Sequence, residues 1–162
     1  MIVGVTGDTH NNLKNIKKIC SIFNENRVDL VFHTGDISLP KSLKAFQELN
    51  CPMKAVFGNN DVPEKIELVE VAKSLDCKIY EEPLKTFISK KRITVLHHPE
   101  LINEELCKNS DLILHGHTHR YRKEIIRNCL IFNPGECAGI MEGKNKVGIV
   151  NLKNLEAITL SF

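Results

Sequence analysis

Short runs of aliphatic and β-branched residues alternate, over the first half of this chain, with stretches whose apolar positions recur every three or four residues. Ile2-Val3-Gly4-Val5-Thr6 reads as a strand, and Leu13, Ile16, Ile19, Cys20 and Phe23 fall on one face of a helix with Asn11 or Asn12 as its cap. Leu30-Val31-Phe32 is a second strand, followed by a short helix over 42–48 and a third strand over 53–57. Ile66, Val69, Ala72 and Leu75 give the next helix. From Leu84 the pattern changes. Strands are expected over 84–89 and 92–96 around a basic turn, a short helix over 101–108, and a fully apolar strand at Leu112-Ile113-Leu114. Strand-like stretches over 121–127, 130–132, 146–151 and 155–161 complete the chain, separated by Asn, Gly or Lys-Asn turns. The first half therefore predicts βαβ units with a parallel sheet and the second half mainly antiparallel strands. Two packed sheets with helices outside accommodate both.

Length and composition narrow this little. The 162 residues suit one domain over 1–162, and 42% hydrophobic residues suffice for a core. A formal charge of +2 with both signs mixed, two tyrosines and no tryptophan offers nucleic acid neither a basic track nor a stacking platform. The opening strand lacks the features of a signal peptide and no apolar run is long enough for a membrane span, so a cytoplasmic protein is expected. The six cysteines form no CxxC pair and are expected as reduced thiols.

The polar residues that follow the strands carry the chemistry. After Leu112-Ile113-Leu114 come His115-Gly116-His117-Thr118-His119, and if the chain stays extended His117 and His119 project from one face and can share metal binding. The other strands deliver Gly7-Asp8-Thr9-His10, Gly35-Asp36, Gly58-Asn59-Asn60-Asp61 and His97-His98. Taken singly, each is an ordinary cap or turn. Together they lie at the strand ends where α/β proteins gather ligands, and they supply a mixed oxygen and nitrogen set. Such a set suits Mn, Fe, Zn, Co or Ni and is too nitrogen-rich for Ca or Mg.

Asp8-x-His10, Gly35-Asp36, Gly58-Asn59-x-Asp61, His97 and Gly116-His117-x-His119, in that order, resemble the five-part signature of the calcineurin-like metallophosphoesterases. Chain length and the segment Asn133-Pro134-Gly135-Glu136 are similar to the small archaeal and bacterial phosphodiesterase branch, which includes the scaffold subunit of the eukaryotic retromer. The resemblance implies a four-layer α-β-β-α sandwich of two mixed sheets flanked by helices. It implies a metal-dependent phosphodiesterase that takes small phosphodiesters and works by in-line attack of a hydroxide bridging two divalent ions. Asp8, His10 and His119 would hold one ion, Asn59, His97 and His117 the other, and Asp36 would bridge them. Mn2+ leads the candidates, with Ni2+, Zn2+, Fe2+ and Co2+ behind it.

Two departures from the family pattern stand out. Larger members place a histidine where this chain has Asn60, and an amide cannot deliver a catalytic proton, so good leaving groups are favoured. His98 stands where the family has glycine, and is expected either to narrow the site or to contact the phosphate. Asp61 would orient an imidazole or the incoming water, or else cap the following helix. His33 and His115 are expected to pack at strand ends or to support the ligands from behind rather than to bind metal. The competing class is a binding scaffold like the retromer subunit, although such scaffolds lack at least one motif histidine and all seven positions are filled here. Exposed strand edges leave room for a homodimer.

Overall fold

The computed structural model describes residues 1–141 and 143–162. The opening apolar run forms β1 (Ile2–Thr6), and Asn12 caps α1 (Leu13–Glu25) by accepting the Asn15 N–H at 3.1 Å. Next come β2 (Leu30–His33), α2 (Pro40–Ala45), β3 (Met53–Val56), α3 (Lys65–Lys73) and β4 (Cys77–Tyr80). The remainder is β5 (Leu84–Ile88), β6 (Lys91–Val95), α4 (Glu104–Lys108), β7 (Leu112–Leu114), β8 (Arg122–Ile126), β9 (Cys129–Asn133), β10 (Lys146–Asn151) and β11 (Glu156–Ser161).

Period-2 alternation in the strands sets the layers. Val3, Val5, Leu30 and Phe32 of one sheet meet Ile93, Val95, Leu112, Leu114, Leu130 and Phe132 of the other in an inter-sheet core. On the outer face of the first sheet, Val31, Met53, Ala55 and Cys77 pack against Ile16, Ile19 and Phe23 of α1, Leu43 of α2 and Leu68 of α3. On the outer face of the second, Ile113, Cys129 and Ile131 pack under Leu106 and Cys107 of α4. The result is the expected α-β-β-α sandwich of two mixed sheets. The first sheet runs β11-β10-β1-β2-β3-β4, with β1 to β4 parallel and β10 and β11 antiparallel. The second runs β5-β6-β7-β9-β8.

Three expectations need adjustment. The pattern gave no strand at β4, because Cys77-Lys78-Ile79-Tyr80 is a half-exposed edge with one buried residue. The second half is mainly antiparallel, through β5–β6, β8–β9, β1–β10 and β10–β11, but not throughout: β6, β7 and β9 are mutually parallel at the centre of the second sheet. The helix expected over 42–48 ends early, at Ala45, and continues as a 3-10 turn over Phe46–Glu48. No helix among the described residues is long and apolar enough to cross a membrane.

Candidate metal centre

Five parallel strands, β1, β2, β3, β6 and β7, point their carboxyl ends at one edge of the sandwich. The loops leaving them carry Asp8 and His10, Asp36, Asn59, His97, and His117 and His119. Five of these seven residues adopt left-handed backbone: Asp8 (φ 50°), His10 (44°), Asp36 (60°), His117 (69°) and His119 (54°). Non-glycine residues enter that region at a cost, and clusters of them mark functional sites. Here the turns tip each side chain inward at once. The loops also interlock, since the His117 N–H lies 3.1 and 3.0 Å from the two Asp8 carboxylate oxygens and the Asp8 N–H donates to the Gly35 carbonyl at 2.8 Å.

Asp8, His10 and His119 form one group whose ligand atoms lie within 4.8 Å of one another, and Asp8, Asp36 and His97 form another. Asp36 sits between the two sides of the pocket: its Oδ2 is 3.9 Å from His10 Nε2 and 3.5 Å from His97 Nε2. On the His97 side, Asn59 Oδ1 is 3.0 Å and His117 Nδ1 3.2 Å from His97 Nε2. The structure therefore brings all seven sequence-derived ligand candidates together. It does so differently from the extended-strand picture at His117 and His119. β7 ends at Leu114 and both histidines are left-handed, so His119 turns to Asp8 and His10 while His117 turns to His97.

Four of the imidazoles are held from behind. His119 Nδ1 donates to Glu136 at 2.6 Å, His97 Nδ1 to the Thr34 carbonyl at 2.9 Å, and His98 Nδ1 to Glu82 at 2.5 Å. His10 Nδ1 lies 3.2 Å from the Ser38 hydroxyl. Such partners fix the tautomer and aim the far nitrogen into the pocket. Glu82, Ser38 and the role of Glu136 were invisible in the sequence, where only Glu136 lay inside a family-like segment.

Asp61 is completely buried, and its carboxylate accepts the N–H groups of Asp36 (2.9 Å), Gly58 (2.8 Å) and Ser38 (2.6 Å). It fastens two loops and caps a 3-10 turn over Asn59–Glu64, which makes it a positioning residue. Asn60 takes a role not anticipated: its N–H and side-chain amide donate to the two Asp36 oxygens at 2.8 and 2.7 Å. Gly58 permits this closeness, because a Cβ there would collide with the Asp36 carboxylate and sit 2.6 Å from its N. His98 needs no unusual backbone angle (φ −86°, ψ 114°), which removes one reason to expect glycine at that position. His33 and His115 are buried behind the loops as expected. His33 bonds Thr9 and the Gly35 N–H, and His115 bonds the Gly116 carbonyl.

The chain is similar to known proteins in sequence and fold. Residues 1–155 match the calcineurin-like phosphoesterase superfamily domain. The chain belongs to this superfamily. It is 33% identical over 160 residues to phosphodiesterase MJ0936 of Methanocaldococcus jannaschii, covering 96% of each chain. Among solved structures it superposes on an archaeal phosphodiesterase with a TM-score of 0.92, at 32% identity and full coverage of both chains. Vps29 of Entamoeba histolytica shares the fold with a TM-score of 0.65 at 16% identity, over 100% of this chain and 99% of that one. Membership of the phosphoesterase superfamily bears out the hydrolase reading of the sequence.

The electrostatics of this phosphoesterase pocket suit a cation. Burial pushes Asp8 up to about 7, with the charges of Asp36 and Glu136 adding to the push and His119 opposing it. Burial raises Asp36 as well, but the Asn60 hydrogen bonds and the nearby His97 and His10 outweigh it and hold this carboxyl below its ordinary value. His10 and His97 are lowered, chiefly by burial, which keeps them neutral with lone pairs available. The tightest test is at His97. Its Nδ1 must carry the proton, because the Thr34 carbonyl can only accept, so Nε2 presents a lone pair. That lone pair faces Asn59 Oδ1 and Asp36 Oδ2; Asn60 donates to the latter, which leaves the His97 lone pair and Asn59 Oδ1 with at most one proton, from His117, between them. Oxygen and nitrogen lone pairs crowded in this way fit a bound metal ion better than a hydrogen-bonded network.

Proposed function

We propose that the chain is a divalent-metal-dependent phosphodiesterase that hydrolyses small phosphodiesters by in-line attack of water at a dinuclear centre. The observation that supports it most is the position of Asp36, one carboxylate reaching the Asp8, His10 and His119 group on one side and His97 on the other. In this reading Asp8, His10 and His119 hold one ion, Asn59, His97 and His117 hold the second, and Asp36 bridges. A pair of divalent ions, when bound, brings the pKa of water towards neutrality and takes up charge on the phosphoryl oxygens. Mn2+ is the leading candidate, and the four imidazoles equally suit Ni2+, Zn2+, Fe2+ or Co2+.

The chain's own groups do the rest. Asn60 holds both Asp36 oxygens and thereby orients the bridge, and Asp61 locks the backbone that presents it. With Asn60 committed to Asp36 and lacking an acidic proton, no side chain at that position protonates the leaving oxygen, which favours substrates whose leaving group departs as an anion. The expected behaviour is hydrolysis of an aryl phosphodiester with added Mn2+ or Ni2+, lost on chelation and restored by the metal. If metal-loaded protein turned over neither mono- nor diesters, a scaffold function, as in the retromer subunit that the sequence resembles, would replace this reading.

A further inference from the structure

The surroundings of the His98 ring differ from those of a surface histidine. The ring centres of His97, His98 and His117 form a nearly equilateral triangle, with separations of 4.7, 4.8 and 5.0 Å. One nitrogen from each ring lies within 4.8 Å of the others. Three imidazoles on one face of a metal ion, with metal–nitrogen distances of about 2.0–2.1 Å, have ring centres about 5 Å apart. The triangle therefore has the dimensions of a three-histidine metal face.

The hydrogen bonds point the same way. Glu82 accepts from His98 Nδ1 at 2.5 Å, so Nδ1 carries a proton and Nε2 is the nitrogen through which the ring can bind a metal ion. The other Glu82 oxygen accepts the backbone N–H groups of His97 (2.6 Å) and His98 (3.0 Å), so one carboxylate fixes both the strand end and the ring. This is the arrangement seen on the opposite side of the pocket, where Glu136 holds His119. Carboxylate-backed imidazoles of this kind are typical of metal ligands. Pro99 further restricts His98 to the extended conformation it adopts. A plain surface ion pair would explain the Glu82 contact but not the three-ring triangle.

We propose that His98, set by Glu82, is a third imidazole ligand of the second metal site, so that this ion is held by His97, His98 and His117 with Asn59 and Asp36 at its oxygen side. The assignment rests on the two-metal reading above. It makes the second site richer in nitrogen than the first and biases it towards Zn2+, Co2+ and Ni2+ over Mn2+.

The test is titration of the metal-free full chain with Co2+, by calorimetry and elemental analysis, for the wild type, His98→Ala and Glu82→Gln. The wild type is expected to take up two ions. His98→Ala should keep its first-site affinity, which also reports an intact fold, while second-site affinity drops by about 10–100-fold, with Glu82→Gln falling in between. Equal second-site affinity in the wild type and His98→Ala would overturn the assignment and leave the two-metal reading standing. Failure of the wild type to bind a second ion would overturn both. Proton NMR of the Co2+-loaded protein in H2O gives a second readout: a strongly downfield-shifted exchangeable ring N–H that is present in the wild type and missing in His98→Ala supports ligation, and the same set of such signals in both proteins overturns it.

Discussion

Asp36 and Asp8 show how single side chains are held for a charge that the protein alone does not balance. Asn60 satisfies both Asp36 oxygens and keeps that carboxylate ionised, whereas burial drives Asp8 up to about 7. Asp36→Asn is expected to abolish hydrolysis and to reduce bound metal from two ions towards one or none by elemental analysis, since one carboxylate serves both cations. Asp8 yields a second expectation, for metal-free protein. A carboxyl whose folded pKa is raised from 3.8 binds more protons folded than unfolded between pH 4 and 7, so its ionisation withdraws stability as pH rises through that window. In chelator at pH 7.5, Asp8→Asn should therefore be more stable than wild type by up to about 4 kcal/mol, given about 1.4 kcal/mol per tenfold in proton affinity. The difference should vanish near pH 4, and a variant less stable at pH 7.5 would contradict it. At this scale the ligand types were legible, because each follows a strand and a glycine or precedes another polar residue. Their supports were not: Glu82 lies 16 positions from His98, and Asn60 lies 24 from Asp36, with no local pattern connecting either pair.

Between residues and fold stand the loops, and they are tied to one another more than to solvent. Asp61 joins the turn after β3 to the Asp36 loop through three backbone N–H groups. Asp61→Ala leaves those buried donors unpaired and is expected to lower stability by on the order of 3 kcal/mol, measurable by denaturant unfolding, and to weaken metal uptake. A change under 0.5 kcal/mol would show the tie to be dispensable. The strand and helix pattern was read correctly wherever one face was cleanly apolar, as in β1, α1, β7 and β10. It failed at β4, an edge whose stability comes from pairing with β3 and not from its own burial. It did not give the direction of β6, β7 and β9, since alternation of apolar residues is the same in parallel and antiparallel strands. The left-handed turns at His117 and His119 were likewise hidden, because neither carries the glycine that usually announces positive φ.

At the scale of the whole molecule, two sheets bring the loop-bearing ends of five parallel strands to one edge, where side chains from Asp8 to His119 meet. Buried carboxylates clustered with imidazoles couple metal binding to folding. Saturating metal at about 100 times its Kd should stabilise the chain by about 2.7 kcal/mol, raising Tm by about 5–10 °C over the chelated protein in a thermal melt. The most direct test of the dinuclear phosphodiesterase account is stoichiometric: hydrolysis of an aryl phosphodiester followed as Mn2+ is added back to chelated protein, with bound metal counted at each point. Activity should rise in step with the second ion and be absent from Asp36→Asn. Full activity with one ion bound, or undiminished activity in that variant, would contradict it.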